Sequence, residues 1–466
     1  MAEGAIVFQH VFTQENPGHI DEIYSFDKRP LGEGSYGKVT KAVHKDTNAV
    51  RAIKAIDLSQ IKDKSSFEIE VGIQQKLHHP NIVRLYEVFK DAMKVYLVME
   101  LCTGGELFDR IVEQAEHSAD DMAFDEQHAS TYMLQILGAM HYLHTNNIVH
   151  RDIKPENFLM QDKSKDAEIK VIDFGLAKYN PDGMRMKTKA GTPYYVSPQV
   201  LDGNYSEKCD VWSCGVICYV LLCGYPPFYG DDDKQILRMV RLGNYDYPSP
   251  DWDNTSAEAK DFIGKMLTRQ EDKRPSAKEM LEHPWVKSEA KRSVSKMQST
   301  FVDKLRRFQG EKKLKKVVLT LIAEQLEDKE LQELRDTFQE LDANKDGALS
   351  LPEIKTGLEK HGIQIPSDLG SILKALDTDG SGNIDYTEFI AASITQKQYS
   401  QKAVLWAAFR RFDLDGNGLI SEKEMAAMIQ DDASFKVAKE LIKEADVDGD
   451  GQVSFDEFCK IMGASA

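Results

Sequence analysis

A stretch near the middle of the chain carries polar residues at a spacing suited to phosphoryl transfer. It covers residues 150–157, His-Arg-Asp-Ile-Lys-Pro-Glu-Asn, and is followed by Asp-Phe-Gly at 173–175. Asp152 could accept the proton of an attacking hydroxyl group, and Lys154 could steady the transferred phosphoryl group. Asn157 and Asp173 offer oxygen ligands to Mg²⁺, which bridges nucleotide phosphates and offsets their charge. The stretch therefore predicts a magnesium-dependent phosphotransferase.

A glycine-rich loop earlier in the chain could hold the phosphates of the nucleotide. Residues 31–39 have the G-x-G-x-x-G spacing, which lets backbone amides approach phosphate oxygens without side-chain obstruction. A Rossmann fold would continue from such a loop into a helix. Here Val39 resumes a β pattern, and a second strand follows at 49–54 and ends in Lys54. The pattern therefore predicts a β-hairpin that covers a nucleotide.

In this order, these motifs resemble those of the protein kinase family over residues 24–286, which implies a bilobal α+β fold with a β-rich N-lobe and a helical C-lobe. The resemblance implies that Glu70 pairs with Lys54 and holds its ammonium group against the phosphates of ATP. It also implies that Asp210 braces the catalytic loop, that Lys154 marks the serine/threonine type, and that Thr192 shapes the substrate hydroxyl site. The implied catalytic residues are Asp152, Lys54, Lys154, Asn157 and Asp173, of which Asn157 and Asp173 bind Mg²⁺.

The same resemblance implies an ATP site between the lobes. Met99 is its gatekeeper, Glu100 and Cys102 form the hinge, and Glu106 contacts the ribose or a substrate arginine. The implied ATP-binding residues are Leu31, Gly32, Gly34, Ser35, Gly37, Val39, Ala52, Lys54, Glu70, Met99, Glu100, Cys102, Glu106 and Leu159. Substrates with basic residues upstream of the phosphorylated Ser or Thr are expected from Glu106 and from the acidity of the kinase region.

One departure concerns the end of the activation segment, where Ser197-Pro-Gln199 replaces the Ala-Pro-Glu of most kinases. The family's glutamate pairs with an arginine that resembles Arg274 here. A neutral Gln199 can hydrogen-bond this arginine but cannot neutralise it. We expect some loss of local stability but no loss of catalysis. Because the catalytic residues are all present, a pseudokinase is disfavoured.

The C-terminal part of the chain contains four 12-residue loops suited to Ca²⁺. Each has oxygen-bearing residues at positions 1, 3 and 5, Gly at position 6, a backbone ligand at position 7 and Glu at position 12. The predicted ligands are Asp342, Asn344, Asp346, Ala348 and Glu353 in loop one, and Asp377, Asp379, Ser381, Asn383 and Glu388 in loop two. They are Asp413, Asp415, Asn417, Leu419 and Glu424 in loop three, and Asp446, Asp448, Asp450, Gln452 and Glu457 in loop four. Position 8 is apolar throughout, which predicts short β-pairing of the loops within two lobes.

A basic segment joins the two parts. Residues 291–326 contain 10 Lys and Arg against 3 Asp and Glu, whereas residues 327–466 contain 15 against 28. Between 299 and 322 the apolar residues fall at helical spacing, with Val317 or Val318 on the apolar face and with Gly310 as a candidate break. A basic amphipathic helix of this kind is a typical target of EF-hand grooves, so we expect an intramolecular contact.

Composition limits the other possibilities. The net charge of -17 argues against nucleic-acid binding, and the six cysteines lack paired C-x-x-C spacing. The longest apolar run, residues 211–224, is too short to span a bilayer and predicts a buried helix. The start of the chain lacks a signal-peptide pattern, and Ala2 excludes N-myristoylation of this N-terminus. We therefore expect a cytoplasmic monomer without a membrane anchor.

The order of kinase domain, basic junction and four EF-hands resembles the calcium-dependent protein kinases of plants and protists. The expected parts are an N-terminal extension (1–23), a kinase domain (24–286), an autoinhibitory junction (287–329), EF-hand lobe one (330–396) and EF-hand lobe two (397–466). The resemblance implies ATP, Mg²⁺ and Ca²⁺ as cofactors, and inhibition by the junction until calcium binds. Lys291, Arg292 or Lys296 is the inhibitory cation. Two alternatives are a constitutively active kinase whose EF-hands serve in docking, and a calcium-binding scaffold with vestigial kinase activity.

Overall fold

The fold is described from a computed structural model. The described residues are 15–16, 19–34, 37–61, 64–117, 124–290, 297, 301–326, 328–378, 380–428 and 434–464. Ser35 and Asp379, two of the predicted site residues, lie outside these ranges, as do Lys291, Arg292 and Lys296.

The N-terminal lobe is a twisted sheet with helix α2 beside it. Its strands are β1 (Glu15–Asn16), β2 (Tyr24–Gly34), β3 (Gly37–His44), β4 (Val50–Asp57), β5 (Leu85–Lys90) and β6 (Lys94–Met99), and its helices are α1 (Ile20–Ile23) and α2 (Lys64–Gln74). The order is β1-β5-β6-β4-β3-β2, antiparallel except that β1 pairs in parallel with β5. The glycine-rich loop is the turn of the β2–β3 hairpin, as the sequence predicts. Strand β1 comes from the extension, where no strand was predicted.

The second lobe is mainly helical. Its helices are α3 (Leu107–His117), α4 (Glu126–Thr145), α5 (Pro198–Asp202), α6 (Lys208–Cys223), α7 (Asp233–Leu242), α8 (Ala257–Met266), α9 (Ala277–Leu281) and α10 (Pro284–Glu289). Its strands are β7 (Ile148–Val149), β8 (Phe158–Met160), β9 (Ile169–Val171) and β10 (Lys178–Tyr179). Every residue of α6 from Cys209 to Cys223 is buried, which is why the longest apolar run of the chain forms a core helix. Among the described residues, no helix is both long and apolar enough to cross a bilayer.

The remaining elements form one helical region. The junction contributes α11 (Phe301–Gly310) and α12 (Lys313–Gln325), so its helix does break at Gly310. The first lobe has α13 (Asp328–Leu341), β11 (Ala348–Leu349), α14 (Leu351–Lys360), α15 (Leu369–Leu376), β12 (Ile384–Asp385), α16 (Tyr386–Ser393) and α17 (Gln396–Tyr399). The second has α18 (Lys402–Phe412), β13 (Leu419–Ile420), α19 (Glu422–Ala427), α20 (Ser434–Ala445), β14 (Val453–Ser454) and α21 (Phe455–Ile461).

Two large apolar cores divide the chain. One is built around α4 and α6 of the kinase C-lobe. The other joins both junction helices to the helices of both EF-hand lobes. The junction therefore belongs, by its packing, to the calcium-binding half of the molecule.

Candidate active site and calcium loops

The catalytic loop is held in place by a buried carboxylate on α6. Asp210 accepts hydrogen bonds from the backbone N–H groups of His150 (2.9 Å) and Arg151 (2.8 Å), and its Oδ2 lies 2.9 Å from His144 Nε2. Burial alone would raise the pKa of Asp210, but these donors hold its pKa below the usual range. An ionised Asp210 can thus stabilise the left-handed backbone of Arg151, whose φ is 69°. This is the bracing role that the kinase resemblance implies.

The predicted base lies in a tight polar cluster. Asp152 Oδ1 accepts a hydrogen bond from Thr192 Oγ1 (3.0 Å), and its Oδ2 lies 3.0 Å from Lys154 Nζ. Lys154 Nζ also donates to Thr192 Oγ1 (3.2 Å), and Asn157 Nδ2 donates to the backbone oxygen of Asp152 (2.8 Å). A substrate hydroxyl entering this cluster would meet a carboxylate to take its proton and an ammonium group to hold the phosphoryl oxygens.

Asp173, the second predicted magnesium ligand, begins the activation segment. Its backbone is left-handed, with φ of 63°, and its Oδ1 accepts from Gly175 N (3.1 Å). Because Asn157 donates through Nδ2, its Oδ1 is the atom suited to a cation. One carboxylate and one amide oxygen fit Mg²⁺, which usually takes one or two protein ligands besides water and phosphates.

The expected Lys54–Glu70 ion pair is absent from the described residues, in which no ion pair within 4.0 Å joins these side chains. The Glu70 carboxylate instead lies beside Gly175, where an added β-carbon would be 3.6 Å from Glu70 Oε2. Burial raises the pKa of Glu70, the charge of Lys54 lowers it, and the charge of Asp173 raises it. The Lys54–Glu70 ion pair that the kinase resemblance implies is therefore not formed in this structure.

Strand register brings several of the predicted ATP-binding residues together. Val39 lies opposite Lys54, and Ala52 lies opposite Met99, so the glycine loop, the lysine strand and the gatekeeper are adjacent. Gly37 has a structural reason besides phosphate binding, since a β-carbon there would lie 2.0 Å from the backbone oxygen of Ala55. Leu31 is exposed, Leu159 is half-buried, and Gly32 and Gly34 lie at the end of β2.

The hinge is fixed by a buried ion pair. Glu100 Oε1 lies 2.7 Å from Lys170 Nζ, and both side chains are buried. Glu100 N donates to the backbone oxygen of Arg84 (2.9 Å), while Glu100 Oε2 accepts from Arg84 N (3.3 Å). Cys102 is half-buried and Glu106 is exposed. Partial burial, with Asp109 and Glu156 nearby, raises the pKa of Glu106.

The four predicted calcium loops share one internal geometry. In each, the position-6 glycine donates its backbone N–H to Oδ2 of the position-1 aspartate, at 3.1, 2.9, 2.9 and 3.0 Å from loop one to loop four. In each, an oxygen of the position-12 glutamate accepts from the backbone N–H of position 9, as in Glu457 with Ser454 (2.9 Å). The same glutamate also accepts a backbone N–H from position 2 or 3, which draws the two ends of each loop together as oxygen coordination of one cation requires.

Carboxylates converge in these loops. Oxygens of Asp413, Asp415 and Glu424 lie within 4.8 Å of one another, and so do those of Asp446, Asp448 and Asp450. In loop one, Asp342 Oδ1 is buried without a hydrogen-bond donor, and burial raises the pKa of Asp342 to about 7. A dry, donor-free carboxylate oxygen at position 1 fits a calcium ligand, because a cation would supply the missing positive charge.

The loops pair as predicted. Leu349 lies opposite Ile384 in the β11–β12 ladder, and Ile420 lies opposite Val453 in the β13–β14 ladder. All four position-8 side chains are nearly inaccessible. Each ladder joins the two loops of a pair by backbone hydrogen bonds.

The junction helices lie in the grooves of the lobes. Phe301, Leu305 and Phe308 of α11 are buried, as are Leu314, Val318 and Leu321 of α12; of the two valines left open by the sequence, Val318 is inaccessible and Val317 is half-buried. Polar contacts surround this apolar face. Arg306 pairs with Asp368 (2.8 Å), and Glu444 accepts the backbone N–H groups of Lys313 (3.3 Å) and Leu314 (3.0 Å), capping the start of α12.

Lobe one also packs on the kinase, an arrangement that the sequence did not predict. A β-carbon at Gly347 of loop one would lie 2.5 Å from the Tyr142 ring of α4, and Thr387 Oγ1 lies 3.2 Å from His78 Nδ1. Arg335 Nη1 donates to Gln161 Oε1 (3.0 Å). The sequence did not indicate this docking, because each of these residues, taken alone, is equally typical of an ordinary core or surface position.

Lobe two and the junction contact the N-lobe. Arg411 of α18 donates to the backbone oxygen of Tyr86 (3.1 Å) and lies 3.5 Å from Glu87 Oε1. Glu87 in turn accepts from the hydroxyl of Tyr24 (2.6 Å). Arg84 Nη1 donates to the backbone oxygen of Ala323 in α12 (3.4 Å). None of these kinase residues is a predicted site residue.

Comparison with known proteins agrees with this geometry. The protein kinase domain family matches residues 26–286, and the EF-hand domain pair matches residues 309–394 and 402–463. The chain is 43% identical over 457 residues to calcium-dependent protein kinase 3 of Plasmodium berghei (strain Anka), covering 96% of this chain and 81% of the relative. The chain belongs to the calcium-dependent protein kinase family.

Other relatives extend from parasites to plants. Calcium-dependent protein kinase 5 of Plasmodium falciparum (isolate 3D7) is 39% identical, with 98% of this chain and 80% of the relative covered. Calcium-dependent protein kinase 33 of Arabidopsis thaliana is 35% identical, with 96% and 86% covered. This chain is therefore a calcium-regulated protein kinase with an ATP-binding catalytic domain and two EF-hand pairs.

Proposed function

We propose that this kinase transfers the γ-phosphate of ATP to Ser or Thr of protein substrates, is inhibited by its junction at low calcium, and is released when the EF-hands bind calcium. The observation that carries the proposal is the burial of the junction's apolar face in the EF-hand core. Helices α11 and α12, held there, are not available to the substrate site. The proposal includes a division of the chain into an N-terminal extension, a kinase domain, a junction and two EF-hand lobes, with boundaries at residues 24, 287, 330 and 397.

The assigned chemistry follows from the catalytic cluster. Asp152 takes the proton of the substrate hydroxyl, Lys154 holds the transferred phosphoryl oxygens, and Thr192 orients the Asp152 carboxylate by its 3.0 Å hydrogen bond. Asn157 and Asp173 would hold Mg²⁺, which supplies charge neutralisation for the phosphates. The direct contact of Lys154 with both Asp152 and Thr192 supports Ser/Thr specificity, since it builds a small polar site for an aliphatic hydroxyl.

A basic substrate is supported by charge. Residues 327–466 carry -13 and the basic segment 291–326 carries +7, which leaves -11 of the total -17 on the first 290 residues. The negative charges of Asp109 and Glu156 both act on Glu106 beside the hinge. Opposite charge would steer an arginine-containing peptide to this face and orient it. A positional-scanning peptide library without a basic preference would contradict this part of the proposal.

The calcium ligands assigned above would work by changing what the lobes can bind. A ligand shifts a conformational equilibrium only through its differential affinity for the two states, and moving it from about 1:99 to 99:1 requires roughly 5.5 kcal/mol. Two or more coupled loops in a lobe can supply this. The contacts of Arg411 and loop one with the kinase favour a second effect, in which the calcium-loaded lobes also brace the kinase domain.

The test compares full-length enzyme with a chain truncated after Ala290. Peptide phosphorylation by the full-length enzyme should be low in a calcium chelator and high in excess calcium. Equal activity in both conditions would contradict the proposal and favour a constitutively active kinase. The truncated chain distinguishes the two effects: high activity in chelator indicates inhibition alone, whereas low activity and a lower unfolding temperature indicate that the lobes also brace the kinase.

A further inference from the structure

Arg185 fastens the middle of the activation segment, residues 173–199, to the C-lobe. Its Nε donates to Asn204 Oδ1 (2.9 Å), its Nη2 donates to the backbone oxygen of Asn204 (2.7 Å), and its Nη1 pairs with Glu271. The Glu271 side chain is only 4% exposed, and its Oε1 accepts the backbone N–H of Ser206 (2.9 Å). A buried carboxylate thus receives an arginine from the segment that leads to Thr192.

The end of the same segment is held without a carboxylate. Gln199 Oε1 accepts from Arg274 Nη2 (2.8 Å), and Gln199 Nε2 donates to the backbone oxygen of Arg269 (2.6 Å). Arg274 also donates to the backbone oxygens of Thr268 (3.1 Å) and Lys208 (2.9 Å). All of these acceptors are neutral, and no ion pair within 4.0 Å involves Arg274 among the described residues.

The charged guanidinium of Arg274 nevertheless lies in a solvent-excluded environment. It is fully buried, with its guanidinium 4.9 Å from the centre of the Trp212 ring. Burial lowers the pKa of Arg274 to about 10, and the negative charge of Glu271 acts against that lowering more strongly than any other group. A buried cation is expensive unless an anion compensates it. Glu271 is the buried carboxylate next to it, since the backbone oxygen of Glu271 accepts the N–H of Arg274 (3.0 Å).

We propose that Glu271 replaces the carboxylate missing at position 199, and that Arg185 and Glu271 form a positioning pair for the activation segment. In most kinases one glutamate both neutralises the buried arginine and anchors the segment. In this chain the two tasks fall to separate residues: Gln199 supplies a hydrogen bond, and Glu271 supplies the charge and takes Arg185 as a second anchor. The proposal concerns the phosphotransfer step itself, so it does not depend on how calcium activates the enzyme.

Arg185 is linked to the catalytic cluster by the short stretch 186–192, which is fixed by several hydrogen bonds. Met186 exchanges backbone hydrogen bonds with Tyr205 (2.8 and 3.2 Å), and the Tyr205 hydroxyl donates to the backbone oxygen of Thr188 (2.7 Å). Four residues later Thr192 bonds Asp152. Releasing Arg185 would loosen the run that brings Thr192 to Asp152, so peptide turnover should fall while ATP binding, which uses other elements, should not.

The test uses full-length enzyme in saturating calcium with the variants Arg185→Met, Glu271→Gln and Gln199→Glu, alone and combined. Arg185→Met and Glu271→Gln should each lower kcat/KM for a peptide by about tenfold or more, with the KM for ATP within about twofold of wild type. Gln199→Glu alone should change kcat/KM by less than about threefold, and it should recover at least about threefold in the Glu271→Gln background. It should give no recovery with Arg185→Met, where Glu271 is still present.

An exposed ion pair of the same lobe supplies the control. Lys265 lies 2.7 Å from Asp261, and both side chains are about half exposed, at 47% and 56%. Lys265→Met should leave kcat/KM unchanged. The proposal is overturned if Gln199→Glu has the same effect with and without Glu271, or if Arg185→Met behaves like Lys265→Met. Thermal unfolding shows whether the Glu271→Gln variant folds. If it does not fold, the comparison of Arg185→Met with Lys265→Met decides.

Discussion

Gly347 allows a direct test of whether the first calcium loop docks on the kinase domain. Its φ is 82°, and an added β-carbon would lie 2.5 Å from Tyr142 Cδ2 and 3.3 Å from His79 Cδ2. Gly382 occupies the same position of the paired loop two, with φ of 89°, and an added β-carbon there would meet no heavy atom within 4 Å. Substitution of either glycine by alanine therefore imposes similar backbone strain, and only Gly347→Ala also obstructs the kinase contact.

The difference between the two variants isolates the docking contribution. A left-handed non-glycine residue costs about 1–2 kcal/mol, and this cost is common to both. Forcing an extra carbon against the buried ring of Tyr142 costs a further 1–3 kcal/mol or so, because packed aromatic rings yield little. That excess corresponds to roughly five- to 150-fold in the docking equilibrium.

The assay is peptide phosphorylation by the full-length enzyme across a calcium titration. Both variants should need more calcium for half-maximal activity, because both strain a calcium loop, but Gly347→Ala should need markedly more than Gly382→Ala. The unfolding temperature of the kinase domain in calcium should fall further with Gly347→Ala. Gly418→Ala, in lobe two with φ of 87° and no neighbour within 4 Å, is a second control. Equal shifts for Gly347→Ala and Gly382→Ala would refute docking by loop one.

Three further predictions concern the catalytic base, the contact of lobe two with the N-lobe, and the first calcium loop. Asp152→Asn should lower turnover by roughly 100-fold or more while nucleotide binding persists, as single-turnover and nucleotide-titration experiments can show. Arg411→Ala should weaken activation by about 1–3 kcal/mol, since it removes the guanidinium donor from buried Glu87 Oε1 and from the backbone oxygen of Tyr86. Arg410→Ala, at an exposed side chain, should have little effect on the calcium titration. Burial raises the pKa of Asp342 to about 7, so below that pH calcium must displace a proton from this carboxyl group. The calcium affinity of loop one should therefore fall from about pH 8 to pH 6. Calorimetry in buffers of different ionisation enthalpy should detect the released proton, and Asp342→Asn should abolish this release.

The sequence was informative where function depends on short-range geometry. A calcium loop is closed by its own backbone donors, as in Gly451 N with Asp446 Oδ2, so residue type and spacing within twelve positions suffice to predict it. The catalytic loop and the β2–β3 hairpin are local in the same sense. Gly310 could be identified as a helix break because glycine weakens helices wherever it occurs, and α11 does end there.

The docking of the EF-hand lobes could not be predicted in this way. His78 and Thr387 are separated by 309 positions, and Tyr86 and Arg411 by 325. No periodic pattern links such residues, and a single Arg or Thr on a helix has many solvated or core explanations. The Lys54–Glu70 pair shows a different difficulty: spacing indicated both residues, but whether their side chains meet depends on how α2 lies relative to β4, which spacing does not determine.

The junction illustrates how a correct charge pattern can suggest an incomplete mechanism. A +7 segment between two acidic partners suggests a competition decided by electrostatics. In the structure, however, the pair between Arg306 and Asp368 is nearly half exposed on both sides, and such pairs contribute about 0–1 kcal/mol. Fully burying a Leu or Phe contributes roughly 1.5–3 kcal/mol, and Leu305, Phe308 and Val318 are all buried in the lobes. In the proposed mechanism, charge can guide the junction to either acidic partner, whereas burial of its apolar face favours the lobes over the kinase domain.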